Sequence, residues 1–187
     1  WNLSLEPDGN RKNQKTEILR SGKQHNREVL EVKKAYGPIL LVVVVSATLY
    51  SPILGNYFLN DDFGRILELR PLQEESILEA ISILFSRAFN SYYRPFTYVS
   101  FYLLYKLATL SPFYYYLSSV ILHMLASIAF FFVARCLSER RERPIGWIAV
   151  LATLVFIVHP RHVESVSYIH DNENVICGFF FFLSVMW

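Results

Sequence analysis

Long uncharged stretches alternate with short polar ones along this chain, and the lengths of the stretches predict its elements. Ala35–Leu54 is a 20-residue run rich in Leu, Val and Ile, without a charge. About 20 apolar residues in a helix cross the roughly 30 Å of a bilayer's hydrocarbon. The run therefore predicts a membrane span. Pro38 falls in its first turn, where proline is tolerated, and Pro52 near its end, where it stops or kinks a helix. Pro112–Ala134 predicts a second span, Pro144–Val158 a third, shorter one, and Val175–Trp187 the start of a fourth that is cut short.

Between the first two spans lies a long loop, residues 55–111, with two apolar patterns of its own. In residues 74–89, Ile77, Leu78, Ile81, Leu84 and Phe85 recur at helical spacing and predict an amphipathic helix. Residues 95–110 are apolar and aromatic but only 16 long, and they include Lys106. Charge decides their placement. Residues 1–34 carry eight Lys/Arg against five Asp/Glu, and Arg135, Arg140, Arg141 and Arg143 crowd the loop after the second span. Basic loops stay on the cytoplasmic side. Both basic segments share that side only if residues 95–110 do not cross, so they predict a second interfacial helix. The expected fold class is all-α: a polytopic membrane helical bundle with a large first extracytoplasmic loop. It comprises a polar, disordered cytoplasmic tail (1–34) and a membrane domain (35–187).

Composition agrees with a membrane domain. Apolar residues make up 53% and charged residues 18%, below the quarter usual in soluble domains. A net charge of +2 gives no reason to expect a nucleic-acid partner. Cys136 and Cys177 have neither disulfide-scaffold numbers nor zinc-site spacing. The start at Trp1 and the end inside an apolar run suggest part of a longer polytopic protein.

The same topology gathers four polar groups at one membrane face: Asn60-Asp61-Asp62, Arg94-Pro95, the segment His159 to Glu164, and His170 to Asn174. Such residues suit group transfer from a phosphate-linked lipid. A carboxylate at the interface can act as general base toward a hydroxyl. Arg94 can bind a phosphate through a forked pair of hydrogen bonds. Carboxylates and imidazoles, with Asp61 and Glu164 foremost, can hold a divalent cation such as Mg, Mn or Zn against a leaving phosphate. His159, His162, Glu164, Asp171 and Glu173 complete the candidate substrate-binding set. Each residue also has a plainer role open to it. Asp61-Asp62 can cap a helix, Arg94 can anchor at the headgroups, and His123, in the second span, can pack as a neutral ring.

Four strings in order resemble the N-terminal half of the membrane O-mannosyltransferases that carry C-terminal tetratricopeptide repeats, and of their prokaryotic relatives. They are Asn60-Asp61-Asp62-Phe63, Tyr93-Arg94-Pro95-Phe96-Thr97, Ser111 to Leu117 with Leu122-His123, and His159 to Val166. These enzymes are C-type membrane glycosyltransferases (GT-C). The resemblance implies a polyprenyl- or dolichyl-phosphate sugar donor, often mannose. It implies inverting transfer to a hydroxyl of a protein or glycan acceptor, with an acid of the first outer loop as base. That acid maps onto Asp62 or Asp61, with Asp62 favoured. Where the family often has Gly-Arg-x-Glu, this chain has His170-Asp171-Asn172-Glu173, keeping the acid and losing the arginine. The membrane implied is a bacterial plasma membrane or that of the endoplasmic reticulum. A transporter or flippase of a lipid-linked or anionic substrate, working through Arg94 and His123, is the alternative, and an inactive membrane fragment is the third reading.

Overall fold

The computed structural model describes residues 36–59, 61–86, 93–139 and 146–187. The tail 1–34, Asn60 and the arginines at 140, 141 and 143 lie outside the described residues, as does the side chain of Asp61. The chain divides into two units, residues 1–40 and 41–187. Of the first, only 36–40 is described, as helix.

All regular structure among the described residues is helical. Helix α1 covers 36–50 and runs into a 3₁₀ turn, Ser51–Gly55, with Pro52 at its start. There follow α2 (Asp61–Leu67), a 3₁₀ turn (Arg70–Glu74), α3 (Ile77–Ser86), α4 (Pro95–Ala108), α5 (Pro112–Glu139), α6 (Gly146–Val158), α7 (Pro160–Ser167) and α8 (Asn172–Met186). Two helices, Tyr36–Gly55 and Pro112–Ser138, are long and apolar enough to cross a membrane. A third crossing is formed if α6 and α7, bent by 55° at their junction, are one broken span.

The junction has a local cause. His159 precedes Pro160, and the residue before a proline is pushed out of helical geometry. His159 is extended, with φ −64° and ψ 127°, and its Nδ1 accepts the Arg161 N–H at 3.2 Å to cap α7. The third apolar segment thus ends at Val158, as its composition predicts, and the polar string beyond it is a separate helix.

The predicted helix over 74–89 is corrected at its start. Pro71 opens a 3₁₀ turn over Arg70–Glu74, and α3 begins at Ile77. Ser76 sets that start by a reciprocal cap. Its Oγ accepts from the Glu79 N–H, and Glu79 Oε2 accepts from the Ser76 N–H, both at 3.3 Å. The predicted end at 89 lies outside the described residues. α3 buries Ala80 and Leu84 and leaves Ile77 and Leu78 exposed.

α4 matches its predicted range closely but is no loose surface helix. Thr97, Tyr98, Phe101 and Tyr102 are all buried. Tyr98, Phe101 and Tyr102 join Ile66, Leu69, Leu72, Leu84, Tyr115, Tyr116 and Ile169 in one apolar cluster. Fully burying one such ring away from water is worth about 1.5–3 kcal/mol. A second cluster joins Val42 and Tyr50 of α1 to Val120, Ile157, Val166 and Val175. α5 is the central helix, packed along α6 and α8.

Two tyrosine hydroxyls tie this frame together. Tyr116 of α5 donates to the Tyr57 carbonyl of the outer loop at 2.9 Å, and Tyr50 of α1 donates to the Ile157 carbonyl of α6 at 3.0 Å. A buried hydroxyl needs such a partner.

Candidate functional site

Two polar centres form, where the sequence placed one set of groups on one face. The first is built on α2. Asp62 is 1% exposed. Its Oδ2 accepts the Leu59 N–H at 3.1 Å, which closes the turn into α2, and its Oδ1 accepts the His170 N–H at 2.8 Å. One carboxylate therefore ties the first outer loop to the segment just before α8, 108 residues on.

Arg65, three residues along α2 from Asp62, lies on the same helix face. Its Nη2 donates to His170 Nε2 at 2.9 Å. Arginine can only donate, so Nε2 is the acceptor and the imidazole proton sits on Nδ1. Glu173, in the first turn of α8, stands between two arginines. Its Oε1 pairs with Arg94 Nη1, and its Oε2 lies 3.8 Å from Arg65 Nη1. Side-chain exposure grades from Arg65 (5%) through Glu173 (17%) to Arg94 (28%), so Arg94 is the member nearest the surface.

Burial pushes the Glu173 carboxyl above its ordinary value. Arg94 and then Arg65 pull it down without cancelling the rise, and Asp171 adds to it. Among the described residues, Arg65 Nε and Nη1, His170 Nδ1, both amide atoms of Asn172 and Glu173 Oε2 are buried without a hydrogen-bond partner. Most are donors, which suits an acceptor-rich ligand.

The second centre lies between α5, the α6–α7 junction and α8. His162 lies against Phe156, with ring centroids 4.3 Å apart, and 5.4 Å from His123. His123, 2% exposed, stacks on Phe156 at 5.7 Å and meets Tyr50 edge-on at 5.1 Å. A cavity of about 270 Å³ opens beside His123, His162, Asn174 and Phe182. Glu164 is not in this interior. It is 59% exposed and paired with Arg161 at 2.8 Å.

The expected set therefore divides. Asp62, Arg94 and Glu173 come together, and Asp171 acts on Glu173 through its charge. His159 caps α7 and His162 packs among rings. Arg65 joins the first centre without having been singled out in the sequence, and His170, named there only as part of the polar segment His170 to Asn174, joins it without having been assigned a role. The three-residue spacing of Asp62 and Arg65 on a short helix was the available signal for Arg65. Among the described residues no group of three or more His, Cys, Asp or Glu stands where it could hold a metal ion.

Among the described residues the structure is helical, two to three of its segments are apolar and long enough to cross a membrane, and acids and arginines meet near the helix ends. The chain is homologous to protein O-mannosyl-transferases over about four fifths of its length. It is 30% identical over 166 residues to Protein O-mannosyl-transferase TMTC3 of Mus musculus, covering 82% of this chain and 17% of that protein. Against TMTC3 of Homo sapiens it is 29% identical over 152 residues, with 76% and 16% covered. Against Protein O-mannosyl-transferase tmtc2 of Xenopus laevis it is 30% identical over 154 residues, with 79% and 18% covered. The chain thus spans about one sixth of the length of these curated relatives. No protein-family model and no solved structure matches it.

Proposed function

We propose that this chain forms the donor-side part of a mannosyltransferase of the C-type membrane class. The enzyme moves mannose from a polyprenyl- or dolichyl-phosphate carrier to a hydroxyl of a protein or glycan acceptor. Transfer takes place on the extracytoplasmic or lumenal face, with inversion at the sugar carbon. The observation that carries this reading is the buried centre in which Asp62, Arg65, Arg94, His170 and Glu173 meet.

Arg94 is the phosphate anchor. It is the most exposed cation of the centre, its charge matches a phosphodiester, and α4, whose first residue follows it, is held by five buried side chains. The base comes from the acidic pair. Both oxygens of Asp62 already accept backbone N–H groups, and such bonds stabilise the carboxylate and weaken it as a base. That arrangement shifts the assignment to Asp61 as the base, with Asp62 as the anchor of the turn into α2. Asp61 takes the proton of the acceptor hydroxyl as its oxygen attacks the sugar carbon, and the carrier phosphate departs against Arg94. Glu164 is committed to Arg161 and no three-ligand set forms among the described residues.

The transporter reading needs an ionisable group at work inside the membrane. His123 is instead packed between aromatic rings, and no observation favours that reading.

The test uses the full-length protein bearing this segment, with transfer from dolichyl-phosphate mannose as the readout. Asp61→Asn should lower transfer by about 10²–10⁴-fold, the usual contribution of a general base, without moving the thermal transition. Full activity in both Asp61→Asn and Asp62→Asn would end the proposal.

A further inference from the structure

Glu173 is held unequally by its two arginines. Arg94 pairs directly with Oε1, whereas Arg65 stands 3.8 Å from Oε2, in range of a charge but short of a hydrogen bond. Neither Arg65 Nη1 nor Glu173 Oε2 has a hydrogen-bond partner among the described residues, although both are buried. Each is the partner the other lacks, separated by about one ångström of approach.

An anionic ligand at Arg94 must compete with Glu173 for the same guanidinium. Removing one partner from a buried ion pair is costly, because it strands the other charge. Glu173, mostly buried, would be stranded when Arg94 turns to the ligand. The cost disappears if a second cation moves in as the first leaves. Arg65 meets the requirements. It is fixed by its bond to His170, keeps two unused donor nitrogens, and lies on the far side of the same carboxylate.

We propose that Arg65 is a positioning residue, the reserve counter-ion that takes over Glu173 when Arg94 engages the carrier phosphate. The centre is then a two-state exchange of partners. Without ligand, Glu173 rests on Arg94. With ligand, Glu173 closes on Arg65 and Arg94 holds the phosphate. This role rests on the reading of Arg94 as phosphate anchor. It also accounts for Asp62 holding the His170 N–H, since that bond fixes the residue on which Arg65 rests.

The exchange makes a statement about protons. The groups acting on Glu173 are Arg94, Arg65 from α2, and Asp171 and His170 from the turn before α8. Without Arg65, a Glu173 abandoned by Arg94 has no second cation and takes up a proton instead. Ligand binding then costs more as pH rises. With Arg65 in place no proton is needed.

The test measures binding of dolichyl phosphate to the detergent-purified full-length protein at about pH 5.5 and about pH 7.5, each variant compared with wild type at the same pH. Arg65→Gln should weaken binding about tenfold at the higher pH and less at the lower, within the range of coupled buried pairs. Arg65→Lys, which keeps the charge, should stay within about threefold of wild type. The double variant Arg65→Gln/Glu173→Gln should recover to within about threefold of Glu173→Gln alone, because no charge is left to strand. Unchanged binding in Arg65→Gln, or a double variant as weak as Arg65→Gln at both pH values, would overturn the proposal. Should Arg65→Gln fail to fold, a Glu173→Gln variant that binds more weakly than wild type overturns the proposal, since without that carboxylate no charge is left to strand. Arg94→Gln separates the two readings. If it binds like wild type, the phosphate anchor itself is wrong. If it binds weakly while Arg65→Gln does not, only the role of Arg65 falls.

Discussion

The two polar centres are made of similar residue types, yet they are held together by opposite means. In the centre around Asp62, the polar contacts join charged groups, and the partners come from α2, the start of α4 and the turn into α8. In the centre around His123 and His162, the rings touch other rings. One centre is an ionic network with unsatisfied donors and acceptors, the other an aromatic packing with polar atoms at its margin. Residue type alone does not decide whether an ionisable side chain performs chemistry. What covers it, and whether its hydrogen-bonding capacity is used up, decides that.

The largest expected effect tests the anchor. Asp62→Ala removes the acceptor of two backbone N–H groups, and hydrogen bonds to a charged group are worth about 1.5–3 kcal/mol each. The thermal transition should fall by several degrees, and transfer should be lost with it, whereas Asp61→Asn should lose transfer alone. A stable, active Asp62→Ala protein would show that the two segments need no tie.

His123→Leu probes the other side of the comparison. Replacing a packed ring by a smaller apolar group should cost about 1–3 kcal/mol. Transfer per folded molecule should stay within about threefold of wild type, a change of under 1 kcal/mol in barrier. Loss of transfer with the fold intact would make the second centre a chemical one.

A smaller effect follows from the raised Glu173 carboxyl. The folded state binds that proton more tightly than the unfolded state does, so stability falls as pH rises from the ordinary carboxyl value of 4.5 through the raised one. Glu173→Gln should flatten that part of a stability profile measured by thermal melts from mildly acidic to neutral pH. A slope identical to wild type would place the titration elsewhere.

The smallest effect is expected at the exposed pair Arg161–Glu164. Glu164→Gln should change stability by less than about 1 kcal/mol, as surface ion pairs do, and leave transfer unchanged. A large loss of transfer would return Glu164 to the site.

The legible part of the molecule is the part governed by short-range rules. The two long spans could be read from uninterrupted apolar length, and the helix break at His159-Pro160 from proline's restriction of its neighbour. The start of α3 was misplaced by three residues. Apolar spacing continues smoothly across Glu74–Ile77, while Pro71 and the Ser76–Glu79 cap determine where the helix begins. α4 was legible as a helix. Its burial was not, because an aromatic segment has the same composition whether it faces headgroups or packs against Tyr115 and Tyr116.

The sequence by itself determined that the described residues are helical, with apolar runs long enough to span a membrane and with acids, arginines and histidines near the helix ends. Apolar run length, proline and caps act over a few residues, so they are written locally. Only the tertiary structure decided which polar groups meet. Asp62 reaches the His170 N–H, Arg65 takes the His170 ring, and Arg94 takes Glu173 because α2, α4 and the start of α8 pack around one cluster of buried aromatic and aliphatic side chains. Contacts across about a hundred residues are set by the packing of whole helices, and no local pattern carries that information.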